Sequence, residues 1–200
     1  MGEATSPDQW KLTSLQKKGI LLNNGLLLLL TSQFESCRKQ IEEISSLALT
    51  PHAIEAVLLQ AALLVREKKV GDAIDLVQSV LHQMNQVASD NDGDNDGDND
   101  GDNGDESVVQ VALVLCQLLL SSGRVSESIR VLTSLPASHG KRLGIVSTVT
   151  SLYASLANEQ GVVEVLKDGI AWYEKRLRNA VGNEEDLKKC LMVLYREACK

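Results

Sequence analysis

Between Gln60 and Ala73 the chain reads Gln-Ala-Ala-Leu-Leu-Val-Arg-Glu-Lys-Lys-Val-Gly-Asp-Ala. Apolar residues recur at three- and four-residue spacings, break at the polar pair Lys68-Lys69, and resume from Val70, the pattern of a helix, a short turn and a second helix. Ala61 and Ala73 stand twelve positions apart, one on each helix, with Leu64 three residues after Ala61. Two helices come within about 8–10 Å only where a side chain is small, and a bulky neighbour then fills the groove. The stretch therefore predicts a tightly packed helix pair.

The same spacing recurs on both sides of it. Gly25 and Leu28 precede Thr31-Ser32-Gln33 and Cys37; Cys116 and Leu119 precede Ser121-Ser122-Gly123 and Ser128; Thr150 and Tyr153 precede Asn158-Glu159-Gln160 and Val162. The second small positions, Cys37, Ala73, Ser128 and the oversized Val162, are separated by 36, 55 and 34 residues. The middle interval exceeds the others by about the length of one acidic insertion. Periodicity predicts helices over 12–30, 33–47, 52–67, 70–86, 107–121, 124–135, 141–157, 160–178 and 184–199, with Pro51 and Pro136 beside helix ends. Two helices per unit at a period near 34 resembles the tetratricopeptide repeat, although Asn24 and Gln60 occupy places where an apolar residue is usual. The expected fold is all-α: a tetratricopeptide-like solenoid of antiparallel helix pairs, stabilised by stacking on neighbours.

Composition agrees. The chain is 44% hydrophobic but only 3% aromatic, with three prolines, which disfavours a sandwich or barrel. The formal net charge of -7 comes from one tract: Asp90 to Glu106 holds nine acidic residues and no Lys or Arg, leaving 18 acidic against 20 basic elsewhere. A nucleic-acid-binding surface does not follow from that balance. The expected organisation is a flexible N-terminus at 1–11, two helix pairs over 12–86, a disordered Asp/Asn/Gly-rich insertion at 87–106, two further pairs over 107–178, and a linker and terminal helix over 179–200. The terminal helix, lacking a partner, reads as the end of a stack or the start of a fifth unit, and the sequence as a segment of something longer or a shortened relative. The longest apolar run, Ile20 to Leu30, is too short to span a bilayer, which takes about 20 residues, so no membrane insertion and a cytoplasmic location are expected.

Candidate chemistry is sparse. Asp92, Asp94, Asp96 and Gly97 match the opening of an EF-hand loop, but the closing bidentate Glu falls at Asn103, and the register from Asp96 closes on Ser107. A solvated spacer is the simpler reading. His52, His82 and His139 belong to different units; His52 and His139, beside Pro51 and Pro136, read as solvent-facing or capping. Cys37, Cys116, Cys190 and Cys199 form no Cys-x-x-Cys pair and read as reduced, mostly buried thiols. Lys141-Arg142 and Lys175-Arg176 with Arg178 are the local basic concentrations; the latter close a helix, where cations suit the carbonyl end. No enzyme, no metal and no cofactor is expected. Gly25, Cys37, Ala61, Ala73, Cys116, Ser128, Thr150 and Val162 are candidate repeat-packing positions rather than catalytic ones. The basic clamp with which chaperone-binding repeats grip a C-terminal carboxylate is replaced by Leu22, Leu26 and Leu59.

A more specific likeness lies in an ordered set of short motifs. They are Lys11-Leu12-Thr13, Thr31-Ser32-Gln33, Cys37-Arg38-Lys39, Gln60-Ala61-Ala62, Arg66-Glu67-Lys68, Ala73-Ile74, Val146 through Tyr153, Gly169-Ile170-Ala171-Trp172-Tyr173 and Arg196-Glu197-Ala198. In order and spacing this set resembles the tetratricopeptide-bearing 72-kilodalton subunit family of the signal recognition particle. The resemblance implies a non-catalytic scaffold that partners the 68-kilodalton subunit and the particle's RNA, and through them, indirectly, the ribosome. A stand-alone tetratricopeptide adaptor is the alternative. The chain corresponds to the family's middle repeats, so its partner-binding and RNA-binding segments fall outside, and no functional residue carries over to a numbered position.

Overall fold

The computed structural model describes residues 12–46, 54–90, 106–179 and 184–199. Among them every regular element is a helix: α1 (Ser14–Leu30), α2 (Phe34–Ser46), α3 (Ile54–Arg66), α4 (Val70–Asp90), α5 (Glu106–Ser121), α6 (Val125–Thr133), the single turn α7 (Ala137–Gly140), α8 (Leu143–Ser155), α9 (Glu159–Asn179) and α10 (Glu184–Ala198). The chain divides into two compact units, Met1–Ser89 and Asp90–Lys200. Each is a stack of antiparallel helix pairs of tetratricopeptide-like kind.

One turn closes all four hairpins. The α1–α2, α3–α4, α5–α6 and α8–α9 junctions each hold three residues. In each, one residue adopts positive φ: Ser32 (60°), Lys68 (65°), Gly123 (73°) and Ala157 (52°). The following amide donates back to the carbonyl five residues earlier: Gln33 to Leu28 at 2.8 Å, Lys69 to Leu64 at 2.9 Å, Arg124 to Leu119 at 2.8 Å, Asn158 to Tyr153 at 3.0 Å. With the inner bonds from Ser32 to Leu29, Lys68 to Val65, Gly123 to Leu120 and Ala157 to Ala154, this is the Schellman helix stop. The left-handed residues repeat at the same intervals as Cys37, Ala73, Ser128 and Val162, so backbone geometry follows the period read from side chains. The acceptors Leu28, Leu64, Leu119 and Tyr153 are the bulky positions of the motif.

In the first unit, α3 lies on the α1–α2 pair. Leu59 and Leu63 join Leu29, Cys37, Ile41 and Ile44 in one apolar cluster. Contact is closest at Gly25, where an added Cβ would sit 2.6 Å from Leu59 Cδ2. Ion pairs frame the cluster: Lys17 to Glu43 at 3.1 Å, Lys18 to Glu55 at 2.9 Å, and Glu67 bridging Arg38 and Lys69. In the second unit, Val146, Leu166, Tyr173 and Leu194 make the core between α8, α9 and α10. Gly169 lets the last two helices close, since a Cβ there would lie 3.3 Å from Val146 and 3.5 Å from Leu194.

Several boundaries differ from the sequence expectation. Helix α4 runs to Asp90 and α5 begins at Glu106, so the ends of the stretch assigned to the insertion are helical. The Pro136–Gly140 turn is the one-turn helix α7, and His139 is buried rather than solvent-facing. The short α6–α8 connection folds back so that the imidazole side is enclosed. The expected N-terminal segment 1–11, His52, Pro51, the candidate calcium ligands Asp92 to Asn103, and the linker over 180–183 lie outside the described residues.

Candidate functional site

The first helix of each pair carries residues at equivalent places, one repeat apart. In the first unit Leu22 on α1 matches Leu58 on α3, Leu26 matches Ala62, and Leu29 matches Val65. Leu26, Leu30 and Val65 are exposed, while Leu22, Leu58 and Ala62 are half-buried. These side chains are apolar because the same helices also pack inward; the outer ones are not needed for that packing. The Lys18–Glu55 pair marks one edge of this surface and binds its charges to one another. Of the three leucines standing in for a basic clamp, Leu22 and Leu26 are on this surface. Leu59 is turned inward onto Gly25, so it belongs to packing. Such a surface can cover a partner's aliphatic side chains but offers no cation for a carboxylate.

In the second unit the matching places are Leu113, Gln117 and Leu120 on α5, with Leu113 and Leu120 exposed, and Ser147, Ser151 and Ala154 on α8. This surface is more polar. Its basic residues are engaged elsewhere: Arg142 pairs with Glu106 at 2.6 Å and Lys141 with Asp168 at 3.4 Å. Arg176 stacks over Trp172 at 4.9 Å, and Arg178 donates to the Glu174 carbonyl at 3.4 Å. Lys175 is exposed toward the end of α9, and Arg176 and Arg178 are exposed on its last turn.

Of the candidate packing positions, Gly25, Cys37, Ala61, Ala73, Cys116 and Ser128 are buried, and Thr150 and Val162 are half-buried. Cys37 donates its thiol hydrogen to the Gly25 carbonyl at 3.4 Å. Burial pushes the Cys37 thiol above its ordinary value, with Arg38 pulling partly back. Cys116 is raised by burial too, offset in part by a hydrogen bond with Ser128, the residue twelve positions on. In the fourth pair the close approach falls one residue before Val162. A Cβ at Gly161 would meet the Tyr153 ring at 2.5 Å, so Tyr153 lies over the helix at Gly161.

Sequence reading quoted Tyr173 within a family motif but missed its capping role. Its hydroxyl accepts the Leu143 amide at 3.0 Å, satisfying one of the donors left open at the start of α8. Burial pushes this phenol up, and the neighbouring Cys190 adds to the shift. A lone Tyr thirty residues from its partner leaves no sequence signal. Among the described residues no group of three His, Cys, Asp or Glu side chains could hold a metal ion, and no helix is long and apolar enough to cross a membrane.

No protein-family model matches the chain. Human signal recognition particle subunit SRP72 is 29% identical over 166 residues, which cover 83% of this chain and 21% of that protein. The Dictyostelium discoideum protein of the same name is 26% identical over 188 residues, covering 90% of this chain and 25% of that protein. The chain thus spans between a fifth and a quarter of the length of these relatives. Among solved structures, a Podosopora anserina kinesin light chain with nearly identical TPR-like repeats aligns over 94% of this chain and 89% of its own, at 15% identity and a TM-score of 0.45. A helical-repeat chain with one hairpin turn used four times, the protein is similar over most of its length to the signal recognition particle subunit SRP72.

Proposed function

We propose that the chain is a non-catalytic scaffold of a signal recognition particle, supporting assembly of the ribonucleoprotein that brings translating ribosomes to the endoplasmic reticulum. The observation that carries this reading is the likeness to SRP72 across 166 residues. The partners it implies are the 68-kilodalton subunit and the particle's RNA, with the ribosome engaged indirectly and the protein cytoplasmic. The surface we assign to partner contact is the apolar one on α1 and α3, centred on Leu26 and Val65. Helical stacks commonly use such a surface to hold a partner's helix or extended segment.

On this reading the helices of 12–90 and 106–178 are the repeat-bearing parts, and 91–105 is a spacer between them. Gly25, Cys37, Ala61, Ala73, Cys116, Ser128, Thr150 and Val162 serve packing and touch no ligand. Affinity purification from the protein's own cells, with sequencing of the proteins and RNA that accompany it, tests the assignment. Recovery of the 68-kilodalton subunit and particle RNA supports it. A free chain with no ribonucleoprotein sedimentation overturns it. A single partner outside any ribonucleoprotein identifies a stand-alone tetratricopeptide adaptor, a reading that the uncharged surface around Leu26 would also suit.

A further inference from the structure

Between α1 and α3 lies a strip that the packing of the first unit leaves open. The two helices run in the same direction: Lys18 meets Glu55 near their starts, Gly25 meets Leu59 midway, and Leu29 and Leu63 share the core cluster beyond. Facing outward are Leu22 and Leu26 from α1 and Leu58, Ala62 and Val65 from α3, with Leu26 43% and Val65 37% exposed. None of these five side chains can give or accept a hydrogen bond, and the amides and carbonyls between the helix ends are paired within the helices. Lys18 stands at one end of the strip, neutralised by Glu55 at 2.9 Å. Arg66 stands at the other, exposed, on the stripe Leu58–Ala62–Arg66 that runs about 12 Å along α3. Its place in the last turn suits the carbonyl end of the helix. The neighbouring Glu67 is engaged by Arg38 and Lys69, so Arg66 forms no ion pair among the described residues.

We propose that this strip seats an amphipathic helix of a partner protein, antiparallel to α1 and α3, with aliphatic anchors on one face and an Asp or Glu in its first turn against Arg66. The inference rests on reading Leu26 and Val65 as the partner-contact surface and adds the chemistry of what binds there. The strip selects a helix because it has nothing to offer an extended main chain. An extended segment laid on Leu22, Leu26, Leu58, Ala62 and Val65 would lose water from amides and carbonyls that these side chains cannot replace, whereas a helix pairs its own. Aliphatic residues at i, i+4 and i+7 put one apolar stripe along two turns, the length of the strip. Charge then sets the polarity. The one unengaged cation is at the C-terminal end of α3, and a carboxylate is best placed in the first turn of its own helix. The partner's N-terminal end therefore lies over the carbonyl ends of α1 and α3, where the opposed dipoles also agree. In the reverse orientation the carboxylate would reach Lys18, which Glu55 already holds.

The probe is a peptide of about 15 residues, held helical by a lactam bridge on its outer face, with leucines at i, i+4 and i+7 and a single glutamate in the first turn. Titrated with the whole chain and followed by fluorescence anisotropy, it should bind with a Kd on the order of 100 µM. Arg66→Glu, at an exposed position, should keep the helical dichroism and weaken binding about fivefold, and a peptide with lysine in place of the glutamate should regain affinity for that variant alone. Leu26→Glu, also at an exposed position, should abolish binding. Moving the glutamate to the last turn of the peptide should weaken it as much as Arg66→Glu does. No binding up to about 1 mM overturns the proposal, as does affinity indifferent to Arg66→Glu or to the place of the glutamate, or equal binding by an unbridged peptide with a central proline. Recovery of particle components in the purification described above, with a peptide that fails to bind, removes this inference and leaves the scaffold reading standing; a bound peptide without particle components does the reverse.

Discussion

The Leu143 amide, at the start of α8, donates to the Tyr173 hydroxyl of α9 at 3.0 Å. Arg142, the residue before, makes no side-chain cap of its own, so an oxygen from the next helix does that work. Tyr173→Phe removes the acceptor and leaves a half-buried donor open. It should destabilise the chain by about 1–3 kcal/mol with the denaturant slope unchanged, read by urea unfolding followed by far-ultraviolet dichroism.

Two glycines separate packing from propensity. Gly71 has nothing within 4 Å of an added Cβ, so Gly71→Ala should stabilise by about 0.5–1 kcal/mol through helix propensity alone. At Gly25 the same change drives a methyl toward Leu59, and an overpacking cost of about 1–3 kcal/mol should cancel or exceed that gain. Gly25→Leu should unfold the first unit. Melting temperatures for the three variants give the comparison, and equal gains at Gly25 and Gly71 would contradict the close approach of α1 and α3.

The shared turn predicts opposite signs at equivalent places. Lys68 takes a left-handed conformation that disfavours any side chain, so Lys68→Gly should be neutral to stabilising, up to about 1 kcal/mol. Gly123→Ala imposes that same strain and should cost about 1 kcal/mol. Thermal unfolding of both variants checks the pair.

Thiol reactivity should rank by burial. Cys199 is exposed, Cys190 intermediate, and Cys37 and Cys116 buried, so a disulfide reagent at mild pH should label Cys199 first and the buried pair only on unfolding. Because the fold holds the Cys37 and Cys116 thiols above their ordinary value, it favours their neutral form. That contribution is full below the unfolded thiol's value and is lost as pH climbs through the raised folded values. Cys37→Ala should therefore lessen the alkaline loss of stability, measured by melting between neutral and strongly alkaline pH.

Much of this architecture is legible in the sequence because small residues tolerate only one environment. Gly25, Ala61 and Cys116 sit twelve residues before Cys37, Ala73 and Ser128, and close helix packing is what that spacing demands. The left-handed turns are less visible. Only Gly123 advertises one, while Ser32, Lys68 and Ala157 are held there by the stacked helices on either side. His139 is misread for a related reason: beside Pro136 it looks like a surface turn, and only the return of the chain into α8 buries it. The apolar surface at Leu26 and Val65 cannot be told from core by composition, because helices covered on one side and open on the other use the same leucines. The capping role of Tyr173 depends on a partner thirty residues away and has no local pattern.

The connections inside hairpins are all three residues long, whereas those between hairpins run from the four residues 180–183 to the fifteen residues 91–105. Length is thus the same at every first junction and varies at the second. Engineering should respect that alternation. Tags, tethers or sensor modules grafted between α4 and α5 should leave the helices seated, whereas one residue added at Ser32 or Lys68, or in the α6–α8 connection with its buried Leu135 and His139, should not.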